Sequence, residues 1–373
     1  MFSEVDYRFM QQALRLAEAA TRRAAPNPGV GCVLVGDGVE IGSGATLRTG
    51  GDHAEIQALK DCAARGHSLR GATAYVTLEP CSHHGRTPPC AAALIASGVA
   101  RVVAAMSDPY HEVAGRGLAM LQAAGIQTQC GLMQEEAQRV HRGFLSRVTR
   151  QRPWVLLKAA ATLDGKTALL NGRSQWITGA AAREDVQNLR ARHCAILTGS
   201  GTVLADNPRM TVRDRGDVPQ PLRVVLDSAL RTAPDSVIYQ GGGSVLASCE
   251  ARPERLEPYL AGGATSLLLA RQDGHADLVD LLTQLAGRGI NHLMVEAGAG
   301  LNGALVRAGL VDEIVLYLAP SLAGDAARGL FAWPALQDLS DKPLLNISDV
   351  RMVGADLRLQ LSLRQVLSAS DQV

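Results

Sequence analysis

Short apolar runs alternate with helix-length amphipathic segments along this chain, and that alternation leaves few folds open. In the first half, "DYRFMQQALRLAEAATR", "HAEIQALKDCAARG", "CAAALIASG" and "AGRGLAMLQAAG" carry helical spacing, while "VGCVLV", "ATAYVTL" and "VARVVAAM" read as buried strands. Strands joined through helices of this length predict a mostly parallel sheet covered on both faces. From Glu135 to Arg152 apolar density falls and charge rises, and Pro153 then precedes a fresh strand, "WVLLKAAA". A length of 373 residues suits two domains. We therefore expect one domain over 1–149 and another over 150–373. The second half repeats the α/β logic in "AAREDVQNLRAR", "CAILTG", "LRVVLD" and "HLMVEAGAGLNGALVRAGL", without any sequence repeat relating it to the first.

Composition removes several functional classes. With 37 basic and 36 acidic residues, the net charge of +1 offers no general attraction for polyanions. Aromatics at 3% are too sparse for a stacking platform along a nucleic-acid strand. The N-terminal segment is charged and lacks the apolar stretch of a signal peptide, and no run of apolar residues has the length of a membrane span. Seven cysteines, odd in number and scattered, argue against a disulfide framework and point to the reducing cytoplasm.

The chemistry concentrates in "HAEIQAL" and "TLEPCSHHGRTPPC". Zinc prefers thiolate and imidazole donors, and a catalytic zinc keeps three protein ligands with one open position. His53, Cys81 and Cys90 supply that set. Glu55, two residues after the histidine in the first turn of a predicted helix, is placed to exchange a proton with water at the open position. A closed structural site with His83 or His84 as fourth ligand is the other arrangement these residues allow. His-x-Glu followed by Pro-Cys and a second Cys is the nucleobase-deaminase signature, except that eight residues separate Cys81 from Cys90 instead of two.

With "PNPGVGCVLV" before them, these motifs closely resemble the deaminase domain of the RibD family, the bifunctional deaminase–reductases of riboflavin biosynthesis. The resemblance covers about residues 5–145. It implies a cytidine-deaminase-like three-layer α/β/α domain and zinc-dependent hydrolytic deamination of 2,5-diamino-6-ribosylamino-4(3H)-pyrimidinone 5′-phosphate. Glu55 would shuttle the proton to the ring nitrogen and then to departing ammonia. Asn27, His83 and Arg86 match substrate-contacting positions. Members often carry a histidine seven residues before the zinc histidine. This chain has Thr46 there.

In the second half, "GAGLNG" at 298–303 fits G-x-G-x-x-G between a strand and a helix. Alone it describes a tight turn equally well. It comes late in the domain and has no acidic partner at the dinucleotide-fold spacing, so a Rossmann fingerprint does not follow. "KAAATLDGKTA", "SQWITG", "TVLADNP", "RVVLDS" and "VEAGAGLNGAL" resemble the reductase domain of the same family over about 153–365. The implied fold is a dihydrofolate-reductase-like α/β domain that binds NADPH. By this resemblance Ala160, Trp176, Thr202, Asp206, Ser228, Gly298, Ala299, Gly300, Leu301, Asn302, Gly303 and Ala304 line the dinucleotide. Lys158, Ser174, Arg190, Met210, Arg213 and Glu296 match substrate positions, Arg190 and Arg213 being suited to a phosphate. The implied step is hydride transfer to the open or imine form of the ribose, giving 5-amino-6-(5-phosphoribitylamino)uracil, with Lys158 or Asp206 as proton donor. The resemblance also implies phosphorylated pyrimidine nucleotides as the only partners besides a homo-oligomer's own copies, with no nucleic acid and no membrane. The residues leave three other functions open: a nucleic-acid deaminase, a non-catalytic zinc module, and a deaminase whose second domain has lost reduction.

Overall fold

The first helix, α1 (Glu4–Ala24), begins where Ser3 and Asp6 form a capping box: each side chain accepts from the other's backbone N–H, at 3.2 and 2.8 Å. Its buried Phe9, Met10, Ala13, Leu14 and Ala17 fall at helical spacing and seat it on a sheet. The seat is close: a Cβ on Gly31 would lie 2.0 Å from the Ala13 carbonyl oxygen. The computed structural model describes residues 2–82, 89–109, 115–216 and 218–364. The chain divides into two units, 1–152 with 289–291 and 153–288 with 292–373.

The first unit holds β1 (Gly31–Gly36), β2 (Val39–Ala45), α2 (Ala54–Ala64), β3 (Thr73–Val76), α3 (Cys90–Ser97), β4 (Arg101–Ala104), α4 (Arg116–Ala123), β5 (Gln127–Cys130) and α5 (Gln134–Arg150). Strand order is β2-β1-β3-β4-β5. The pairs β3–β4 and β4–β5 are parallel, but β1 runs antiparallel to both its neighbours, so the sheet is mixed where the sequence led us to expect a mostly parallel one. The difference comes from β2, which reads as a loop because of Gly42 and Gly44. Those glycines are imposed by α2: a Cβ at either would lie 2.6 Å from the Ala58 carbonyl oxygen or 2.5 Å from its nitrogen. Asp37 and Gly38, both at positive φ, close the β1–β2 hairpin. Helices α1 and α5 pack together, and α2, α3 and α4 pack in succession.

The second unit runs β6 (Trp154–Thr162), β7 (Lys166–Ala168), α6 (Ala180–Arg192), β8 (Ala195–Gly199), α7 (Ser200–Asp206), β9 (Leu222–Leu226), β10 (Ser244–Ser248), α8 (Pro253–Ala261) and β11 (Ala264–Leu268). It continues through a short hairpin, β12 (Arg271–Gln272) and β13 (His275–Ala276), to α9 (Leu278–Gly287), β14 (His292–Val295), α10 (Ala299–Arg307), β15 (Glu313–Ala319), β16 (Arg328–Gly329), β17 (Leu345–Val353) and β18 (Asp356–Leu363). Nine strands form one sheet in the order β11-β10-β9-β8-β14-β6-β15-β18-β17. The first seven run parallel, β18 runs antiparallel to β15, and the edge strand β17 pairs antiparallel to β18. Their parallel core is nearly continuous Val, Leu, Ile and Met, as burial on both faces requires. From β8 the chain proceeds to β9 on one side, whereas from β14 it proceeds to β15 on the other. Such a reversal opens a crevice at the carboxyl ends of the strands, where α/β sheets bind ligands. Among the described residues no helix is long and apolar enough to cross a membrane.

Candidate active sites

In the first unit, His53 is the N-cap of α2 and Cys90 the first residue of α3, with Cys81 on the segment that leaves β3. The His53 Nδ1 atom lies 3.7 Å from Cys81 Sγ and 3.3 Å from Cys90 Sγ, and the Cys90 backbone N–H donates to Cys81 Sγ at 3.3 Å. All three donor atoms lie within 4.8 Å of one another. Zinc–sulfur bonds of about 2.3 Å and zinc–nitrogen bonds of about 2.0 Å place tetrahedral ligands roughly 3.5–3.8 Å apart, so the trio fits that ion. The electrostatics already favour a thiolate. The Cys90 thiol and then the His53 imidazole, acting against burial, hold Cys81 well below the usual thiol range. The hydrogen bond to Cys81 raises His53 toward the charged form.

Glu55 sits in the first turn of α2, 3% exposed. Burial, with the negative charge of Cys81 adding to it, pushes its carboxyl up to about 7. A carboxyl that titrates near neutrality is suited to accept and return a proton. Cys32 on β1 lies on the same side: burial and the Glu55 charge push its thiol up, which keeps it a neutral packing group.

Two supports escaped sequence reasoning. Glu79, the acid of "TLEPC", accepts backbone N–H bonds from Asp108, Gly115, Gly117 and Leu118, at 3.2, 2.9, 2.9 and 3.3 Å. It thereby fixes the start of α4 against the segment leading to Cys81; a Cβ on Gly117 would fall 1.9 Å from the Pro80 carbonyl oxygen. His141, on the buried face of α5, meets Thr77 Oγ1 at 3.2 Å, and that hydroxyl accepts from Gly31 N–H. The available signal was a histidine in helical register with Ala137 and Phe144, both buried. Thr46 is buried too: its hydroxyl accepts from Val30 N–H at 3.1 Å and its own N–H donates to the Val30 carbonyl at 2.9 Å. Asn27 is half-buried, with its N–H donated to the Ala24 carbonyl oxygen. His83 and Arg86 lie outside the described residues.

In the second unit the crevice gathers most of the expected positions. Lys158 is on β6, and Glu296 follows β14, the neighbouring strand. Arg190, on the last turn of α6, grips Glu296 with a two-pronged bond, Nε to Oε1 at 2.6 Å and Nη2 to Oε2 at 3.0 Å. Lys158 Nζ stands 3.9 Å from Glu296 Oε2. Burial holds the Lys158 ammonium below its usual range against the pull of Glu296. Burial pulls the Glu296 carboxyl up, but Arg190 and Lys158 outweigh it and keep the group below the usual carboxylate range. The remaining Arg190 nitrogen donates to the Thr211 carbonyl oxygen at 3.0 Å, so this guanidinium holds Glu296 in place. Arg213 leaves its side chain exposed while its N–H donates to Gln187. Met210 packs in the apolar core, with its sulfur 3.6 Å from Arg190 Nη2.

Along the carboxyl ends of β6, β8, β9 and β14 stand Ala160, Thr202 with Asp206 on α7, Ser228, and the glycine loop into α10. The three loop glycines differ in purpose. A Cβ on Gly298 or Gly300 would meet open space, leaving backbone accessible for a close-lying ligand. A Cβ on Gly303 would strike the Ala332 carbonyl oxygen at 2.3 Å, so that glycine serves packing. Asn302 is buried, donates to the Ala297 carbonyl, and has an Oδ1 with no partner among the described residues. A strand-to-helix turn with bare N–H groups fits a dinucleotide's phosphates. Trp176 is 70% exposed, its ring under the Arg183 guanidinium at 4.7 Å. Ser174 lies two residues earlier, half-buried.

Comparison with known proteins decides the family. Residues 3–106 match the cytidine and deoxycytidylate deaminase zinc-binding region, and residues 153–359 match the RibD C-terminal domain. A riboflavin biosynthesis protein RibD of Escherichia coli K12 is 48% identical over 95% of this chain and 99% of its own length. The chain belongs to the RibD family. RibD of Acinetobacter baumannii superposes with a TM-score of 0.88 at 38% identity, covering 97% of this chain and 99% of that one. A Thermotoga maritima structure superposes with a TM-score of 0.86 at 31% identity, covering 96% and 99%. It is described as a diaminohydroxyphosphoribosylaminopyrimidine deaminase and 5-amino-6-(5-phosphoribosylamino)uracil reductase. The protein is thus a bifunctional enzyme of riboflavin biosynthesis, a cytidine-deaminase-like zinc domain followed by a dihydrofolate-reductase-like domain.

Proposed function

We propose that residues 1–149 deaminate 2,5-diamino-6-ribosylamino-4(3H)-pyrimidinone 5′-phosphate and that residues 150–373 reduce the deaminated product's ribosyl chain to ribityl with NADPH. The observation that carries the first half is the His53–Cys81–Cys90 triangle with buried Glu55 beside it. Bound there, zinc would lower the pKa of water and polarise the attacked carbon's substituents. Glu55 takes the proton from the attacking water and returns it first to the ring nitrogen and then to the leaving ammonia. Its carboxyl, raised to about 7, holds and releases that proton at neutral pH. Asn27, His83 and Arg86 complete the substrate contacts.

In the second domain NADPH supplies the hydride, and the protein's part is placement and charge. Gly298 through Ala304, with Ala160, Trp176, Thr202, Asp206 and Ser228, hold the dinucleotide. Ser174 and Met210 flank the substrate, Arg213 takes its phosphate, and Arg190 holds Glu296 toward the sugar. Of the two candidate proton donors we assign Lys158: it is buried, lies beside Glu296, and has a lowered ammonium pKa, whereas Asp206 is exposed at the end of α7. The enzyme works in the cytoplasm, where its unpaired cysteines stay reduced. It works as a homo-oligomer. The edge strand β17 supports that assembly, turning Leu345, Ile347, Val350 and Met352 outward, all more than 40% exposed.

The test supplies purified protein with the pyrimidine nucleotide, with and without NADPH, and follows ammonia release and cofactor absorbance. Ammonia should appear without NADPH, and NADPH oxidation should require the deaminated nucleotide. Glu55→Gln should keep its zinc and lose about 10²–10⁴-fold in deamination. Undiminished ammonia release by that variant would sink the assignment of Glu55.

A further inference from the structure

The turn that follows β9, Asp227 to Thr232, is built so that its acid faces inward and its base faces outward. Asp227 is fully buried, and its Oδ2 accepts from both the N–H and the hydroxyl of Thr232, at 2.7 and 2.8 Å. Among the described residues its buried Oδ1 has no hydrogen-bond partner and lies 3.9 Å from Arg231 Nε. Arg231 itself is 62% exposed. One of its terminal nitrogens reaches Ser200 Oγ, the first residue of α7, so the guanidinium spans the mouth between the adjacent carboxyl ends of β8 and β9. Ser228 stands half-buried in the same turn. Arg255 also touches the turn through the Ala229 carbonyl oxygen, but its charge is paired with Glu250 at 2.9 Å.

In Rossmann-type sheets an acid at a strand end takes the ribose 2′-hydroxyl of an unphosphorylated dinucleotide, and an arginine nearby accommodates a 2′-phosphate; the same charge logic holds for a dinucleotide laid across these strand ends. Here the acid is unreachable and the arginine is presented to solvent. We propose that Arg231, with Ser228, clasps the 2′-phosphate of the dinucleotide and so sets the preference for NADPH over NADH. This rests on the reductase reading above and adds the residue that discriminates. A guanidinium fork suits a phosphate dianion, and among the described residues its partners are a carboxylate oxygen 3.9 Å away and one serine hydroxyl.

The experiment compares wild-type enzyme with Arg231→Ala and Arg231→Lys, each first shown to keep its melting temperature. Cofactor fluorescence gives Kd for NADPH and NADH, and competition gives the affinities of 2′,5′-ADP and 5′-AMP. Arg231→Ala should weaken NADPH and 2′,5′-ADP by about tenfold or more and leave NADH and 5′-AMP within about twofold. Arg231→Lys should recover part of the loss. Equal weakening of phosphorylated and unphosphorylated ligands, or no change in either, overturns the clasp. A wild type that oxidises NADPH while the Arg231 variants bind it as tightly overturns the clasp and leaves the reductase reading intact; a wild type that neither binds nor oxidises it removes both.

Discussion

His53, Cys81 and Cys90 come from one short span of sequence and meet because a helix start, a loop after a strand and a second helix start are neighbours in the first domain. Lys158, Arg190 and Glu296 come from three distant segments and meet only because β14 inserts beside β6 and α6 ends near it. The metal triangle is defined by donor chemistry, and the reductase crevice by strand order. A site of the first kind depends on a few ligand bonds, and one of the second kind on a whole sheet being correctly assembled. Loss of activity should therefore be sharp and separable in the first domain, but tied to charge balance in the second.

The largest effect separates the two outright. A chelator that strips the first site should abolish ammonia release, because His53, Cys81 and Cys90 have no substitute donors among the described residues. NADPH oxidation with supplied deaminated nucleotide should continue at its former rate. Metal analysis run beside both assays checks this, and parallel loss of the two activities would contradict the separation.

Next comes the charge balance around Glu296. Glu296→Gln leaves Lys158 and Arg190, both largely buried, without their shared counter-charge. Reductase kcat/KM should fall about 10²-fold, as loss of a fixed charged group in a buried site does. Deamination should be unchanged. Arg190→Lys should follow in the same direction, since one ammonium cannot reproduce the two-pronged grip.

These contrasts also explain what the sequence disclosed. The zinc ligands and Glu55 were legible because their residue types are rare and their spacing is local. The strand-and-helix alternation was legible wherever apolar runs were long, as in β1, β6 and β8. Strand β2 was hidden because packing against α2 requires glycines at 42 and 44, which read as a loop. Strand β5, "QTQC", is too short and polar to announce itself. The partners of Arg190 were hidden for a different reason: nothing in "VQNLRAR" tells which strand end its helix will face. Arg231 was silent likewise, because its meaning depends on Asp227 turning inward.

A third prediction uses a buried group that both the fold and the metal segment depend on. Burial pulls the His141 imidazole down to about 4, and among the described residues its Nδ1 has no hydrogen-bond partner. The neutral ring is therefore the folded form, whereas the unfolded chain takes up a proton near the ordinary value of 6.5. Stability should be level above that pH and fall as pH drops from about 6.5 toward 4, by up to about 3 kcal/mol for a shift of this size. Denaturant midpoints of wild type and His141→Gln, compared from pH 8 to 5, check it. The variant's curve should lack the fall that the wild type adds in that window.

The smallest effect concerns Thr46, seven residues before His53, where the family resemblance leads us to expect histidine. Its hydroxyl is committed to the Val30 backbone, at the entry to β1. A residue so engaged supports the strand, so Thr46→Val should cost about 1 kcal/mol of stability and leave the KM for deamination nearly unchanged. A KM that rises severalfold with stability intact would mean that this threonine touches substrate. The position would then have kept its function while changing its chemistry, and the first domain's site would extend further from the metal than the triangle and Glu55 alone imply.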